Sequence, residues 1–112
     1  MLTIDSLKEL GANTEEGLTR CMNNEAFYLR LVGIALQDAN FEKLRTSIEA
    51  GNLEEAFESA HALKGMLGNV SLDNLVAPIV EITEALRARD ADADYETWLK
   101  QMETELEKLR AL

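Results

Sequence analysis

The sequence predicts an all-α fold, an up-and-down antiparallel four-helix bundle with short N-terminal helices covering one end. Three observations lead there. Apolar residues recur at helical spacing in one segment after another. One Pro and six Gly in 112 residues leave few turn positions, which argues against an all-β design. The connections between periodic segments are short, the condition under which neighbouring helices run antiparallel. With 46% hydrophobic and 29% charged residues the chain is neither disordered nor fibrous. At this length it builds one core, and residues 1–112 read as a single domain.

Taken in order, Ile4, Leu7 and Leu10 form a short first helix stopped by Gly11. Asn13, with Glu16 three residues on, opens a second that carries Leu18, Cys21 and Met22 on one face. From about Asn24 to Ala39, Phe27, Tyr28, Leu31, Ile34 and Ala35 make one stripe, and Leu29, Val32 and Leu36 a second. A helix apolar on so much of its circumference is expected near the bundle centre. Phe41, Leu44 and Ile48 lie on a further helix or on its continuation, ended by Gly51. Asn52 with Glu55 then opens a helix bearing Leu53, Ala56, Phe57, Ala60, Leu63 and Leu67, expected to break near Asn69 to Ser71.

A further segment, Leu72 to Arg89, places Leu75, Val76, Ile79, Ile82 and Leu86 in phase. Pro78 interrupts it, and a kink or an early stop is expected there, because proline removes a hydrogen bond and clashes with the carbonyl of Asn74. Asp90 to Asp94 reads as a loop. Trp98, Leu99, Met102, Leu106 and Leu109 define the last helix, with Trp98 and Met102 expected in the core. The four longest segments are expected to form the bundle.

Composition excludes several functions. Eleven Lys and Arg against 21 Asp and Glu give a net charge of −10, which repels a phosphate backbone and an anionic membrane. No apolar run approaches the roughly 20 residues of a membrane span. The start MLTIDSLKEL lacks a basic region followed by an apolar core, so no signal peptide is expected and the protein is placed in the cytoplasm. Cys21 is alone, excluding an internal disulfide and a cysteine-based zinc site, and reads as a small core residue. With a single histidine, no metal-ligand spacing and no triad motif is present.

That histidine carries the chemistry. On the helix opened by Asn52, the apolar stripe covers an arc of about 120°, and His61 lies roughly 100° from its centre, between core and water. Lys64 and Gly65 are its neighbours one turn on, and Gly68 continues the same flank. Each glycine costs about 1 kcal/mol relative to alanine in a helix interior, so the pair is odd for a helix selected only for stability. It leaves a bare strip where a large partner can approach the ring. Imidazole, with a free pKa of about 6.5, is mostly unprotonated at neutral pH and is a good nucleophile toward phosphorus. Phosphoryl transfer needs mainly positioning and charge neutralisation, and Lys64 supplies a cation.

His61-Ala62-Leu63-Lys64-Gly65 resembles the His-x-Leu-Lys-Gly motif of histidine-containing phosphotransfer (HPt) domains, the helical-bundle intermediates of phosphorelays. The Gly-Asn-Leu-Glu entry at Gly51 to Glu54, the Leu-Gly-Asn exit at Leu67 to Asn69, and the helix layout from about Asn24 onward are similar too. The resemblance implies that His61 accepts a phosphoryl group on Nε2, that Lys64 neutralises it, and that Gly65 and Gly68 give a receiver domain room to dock. Many members have a second Gly where this sequence has Ser71, and a polar residue on the following helix, where Thr83 and Glu84 stand, to hold the other ring nitrogen.

The implied function is a phosphorelay intermediary. It takes the group from one receiver-domain aspartate, including that of a hybrid sensor kinase, and passes it to another. No Gly-rich ATP loop is present, so it is a carrier and not an enzyme. It needs no cofactor of its own, since the receiver brings Mg²⁺, and it is expected to be a monomer. The alternative is a helical adaptor that docks a protein through the His61 face without phosphorylation.

Overall fold

A computed structural model describes the whole chain, Met1–Leu112, as seven helices with no strand. They are α1 (Ile4–Glu9), α2 (Thr14–Arg20), α3 (Glu25–Ala35), α4 (Asn40–Glu49), α5 (Leu53–Asn69), α6 (Asp73–Arg87) and α7 (Tyr95–Arg110). Asn13 and Asn52 start α2 and α5 as their spacing predicts, each accepting from the amide three residues on; Asn24 and Asp94 do the same for α3 and α7. Gly11 and Gly51 follow helix ends with φ of +99° and +73°, a region that costs glycine little.

The core is continuous from Leu7 to Leu109. α5 packs against α4 on one side and α6 on the other, and α6 packs against α7. The two outer helices are tied by Arg45 of α4. It donates to Glu103 at 2.7 Å and to Glu96 at 3.1 Å, both on α7. These carboxylates hold the guanidinium charged far above the ordinary arginine range, and Arg45 in turn holds Glu96 below the usual carboxylate range. Arg110 adds a bond from Nε to the carbonyl of Leu36 at 2.8 Å.

Four expectations are corrected. The segment Asn24–Ala39 is not one central helix: α3 ends at Ala35, and it is α4 that packs along α5. Tyr28, Val32 and Ala35 are buried, but Phe27 and Ile34 are 47% and 60% exposed. A helix at the end of a bundle has neighbours on part of its surface only, so one of its two apolar stripes faces water. Pro78 does not end its helix early; α6 runs through it, with Leu75, Ile79, Ile82 and Leu86 fully buried. That burial, about 1.5–3 kcal/mol for each large apolar side chain, offsets one missing hydrogen bond. Trp98 is only half-buried, edge-on to Tyr95, whereas Met102 is in the core.

The α5–α6 turn is strained at Ser71, which is buried, has φ of +55°, and leaves its hydroxyl without a partner. A left-handed conformation costs a non-glycine residue about 1–2 kcal/mol. Ser71→Gly is therefore expected to raise the unfolding free energy by about 1 kcal/mol, measured by urea titration. The same turn is held by Tyr28, whose hydroxyl donates to the Val70 carbonyl at 2.8 Å. A Cβ on Gly17 would collide with its ring. Burial, with smaller contributions from Cys21 and Asp73, pushes the Tyr28 phenol up to about 12. Because the folded value is raised, its contribution is complete below the unfolded value of about 10 and is lost as pH rises through the folded value. Tyr28→Phe should cost about 1 kcal/mol at neutral pH and remove this residue's share of the alkaline destabilisation, read from denaturation curves across that window.

Candidate functional site

α5 is oriented by the side chains it buries. Ala56, Ser59, Ala60, Leu63 and Leu67 are sealed against α4 and α6. Successive residues turn by about 100°, so fixing Leu63 and Leu67 inside leaves His61 at the margin, and it is exposed. Lys64, one turn on, is half-exposed and joins none of the ion pairs. Gly65 is exposed and Gly68 half-exposed. A Cβ built on either would meet nothing within 4 Å. No neighbouring helix needs those missing side chains, so close packing is not what the glycines provide. The four residues singled out from the sequence thus share one open flank of a single helix.

Three further residues border this flank, none of them picked out from the sequence as part of the site. Phe57, one turn before His61, stacks on the imidazole with ring centroids 5.9 Å apart and planes inclined by 26°. The guanidinium carbons of Arg87 and Arg89 lie 5.3 and 5.4 Å from the centre of the Phe57 ring. The signal for Phe57 is its spacing of four from His61, the position of a neighbour on one helical face. Arg87 and Arg89 sit where α6 ends, and only the pairing of α5 with α6 brings them here. Thr83 does not reach the ring: it is fully buried and donates to the Ile79 carbonyl at 2.7 Å. Glu84 is exposed and 3.6 Å from Arg87.

Two surface clefts, one between Leu10, α6 and α7 and one between α4 and α7, are lined by none of His61, Lys64, Gly65 and Gly68. An exposed helix flank bare of side chains at Gly65 and Gly68 leaves room for a macromolecular partner. Cys21 is buried among the N-terminal helices, away from this flank.

The family model described as Hpt domain matches residues 34–112, more than half of the chain. The chain belongs to the Hpt domain family. The match takes in α4 to α7 and only the last residues of α3, so it begins ten residues later than the resemblance suggested. Comparison with curated proteins and with solved structures gives no match. Hpt domains transfer phosphoryl groups through histidine in two-component signalling, as carriers and not as kinases, and interact with receiver domains. No helix of this Hpt domain is long and apolar enough to cross a membrane.

The open space beside Gly65 yields a stability prediction. Since an added methyl group meets nothing, Gly65→Ala should stabilise the folded state by about 1 kcal/mol through helix propensity alone, seen as a higher melting temperature.

Proposed function

We propose that this Hpt domain is a phosphorelay intermediary in which His61 accepts a phosphoryl group from a receiver aspartate and returns it to another receiver. One observation carries the reading. The single imidazole of the chain stands in solvent on a rigid helix, beside an unpaired ammonium and a flank with no side chains. In the transfer, the Nε2 lone pair attacks the phosphorus of the acyl phosphate. The N–P bond forms as the P–O bond breaks, the electron pair leaves with the aspartate carboxylate, and the Nδ1 proton is available to water. Lys64 stabilises the charge on the transferred group, and Gly65 and Gly68 admit the receiver surface.

The Mg²⁺ that such a transfer uses comes with the receiver. The framework is read as an up-and-down antiparallel arrangement of α4 to α7, with α1 and α2 over the end where the α5–α6 turn lies. The backbone bond from Asn13 to the Ser71 carbonyl at 2.9 Å supports this placement. The partners are receiver domains, including those of hybrid sensor kinases, met in the cytoplasm by a monomeric carrier.

The test uses a phosphorylated receiver domain with Mg²⁺ as donor. Wild-type protein should acquire label, and His61→Gln should acquire none while keeping its helical circular dichroism. Label on that variant at the wild-type level contradicts the reading. A wild type that binds the receiver but never takes label favours the adaptor alternative.

A further inference from the structure

Accepting a phosphoryl group in line requires the imidazole plane to be held, yet neither ring nitrogen of His61 hydrogen-bonds within the chain. On α6, Thr83 is engaged with the Ile79 carbonyl and Glu84 with Arg87. What does meet the ring is aromatic. Phe57 lies 5.9 Å from it at an inclination of 26°, within the range of an offset stack. Phe57 is itself held from three sides. It packs against the core beneath, and Arg87 and Arg89 place guanidinium groups 5.3 and 5.4 Å from its ring centre.

We propose that Phe57 is a positioning residue for phosphoryl transfer at His61. It restricts rotation of an otherwise free imidazole so that the Nε2 lone pair keeps one direction toward solvent. Orientation here is supplied by a stacked ring from the same helix, one turn back, and that ring is fixed by Arg87 at the end of α6 and Arg89 just beyond it. The proposal rests on the reading of His61 as phosphoryl acceptor. It adds a residue that touches neither phosphoryl group nor receiver aspartate and acts only through the ring it contacts.

Phosphoramidate is a suitable probe, because it delivers phosphoryl to histidine without docking on any surface. The N–P bond to His61 forms as the P–N bond of the donor breaks, and ammonia leaves. Full-length wild type, Phe57→Leu and Phe57→Tyr are compared by intact mass for labelling rate, and by proton NMR for the ring protons of the single histidine. Phe57→Leu keeps the apolar contact with the core but loses the aromatic face. Its His61 ring protons should move downfield as ring-current shielding is lost, and its labelling at saturating donor should slow by about two- to tenfold, the worth of one aromatic pair. Phe57→Tyr keeps the ring and should restore both readouts.

Equal labelling rates for wild type and Phe57→Leu overturn the proposal and leave the acceptor reading standing. Unmoved ring protons in Phe57→Leu overturn it as well, since the stack would then not exist in solution. A wild type that takes no phosphoryl group at His61 overturns the acceptor reading, and the proposal with it.

Discussion

The rotation of α5 about its own axis governs everything else at the site. That rotation is fixed by Leu63 and Leu67, both without exposed surface, and by Ala56, Ser59 and Ala60 above them. Turning the helix by one residue, about 100°, would bring the leucines toward water and the imidazole toward the core. Burial of one leucine side chain is worth about 1.5–3 kcal/mol, and an unpartnered polar ring in the interior adds a penalty of similar size. The exposure of His61 is thus a consequence of core packing, not of any interaction the histidine makes. Lys64, Gly65 and Gly68 inherit their positions from the same constraint.

Electrostatics then distinguishes this flank from the remainder of the surface. A chain with a net charge of −10 repels anions in general. Lys64 lies free of any carboxylate one turn beyond His61, while Arg87 and Arg89 gather at Phe57 one turn before it. Other cations are paired with carboxylates: Arg45 is held by Glu96 and Glu103, and Arg20 by Glu16 at 2.9 Å. An acidic protein with a small basic margin around one exposed imidazole suits, on the proposed reading, a partner that presents a phosphoryl group rather than a polyanion.

Much of this was legible in the sequence, for physical reasons that also explain the exceptions. Asn13, Asn52, Gly11 and Gly51 mark helix ends through local hydrogen bonds and backbone preference, which need no tertiary context. The amphipathic stripe of α5 placed His61 correctly at its edge. Misreadings arose where packing decides. Phe27 and Ile34 have the spacing of core residues but lie where no helix covers them. Pro78 is tolerated because its neighbours are buried. Phe57 counted as core because its spacing is that of the buried stripe, yet it is half-buried and turned toward His61. The convergence of Arg87 and Arg89 on it depends on how α5 and α6 pair, which no local pattern encodes. Ser71 takes a left-handed conformation without being glycine, which no local pattern in the sequence announces.

The most direct measurement is where a phosphoryl group resides once the full-length protein has been mixed with a phosphorylated receiver domain and Mg²⁺. Phosphorus NMR, combined with nitrogen-15 labelling of the histidine, reads the bonded atom. The account predicts one acid-labile phosphoryl group per chain, attached to Nε2 of His61. A phosphoryl group on any hydroxyl or carboxylate of the chain, with His61 unmodified, would contradict it.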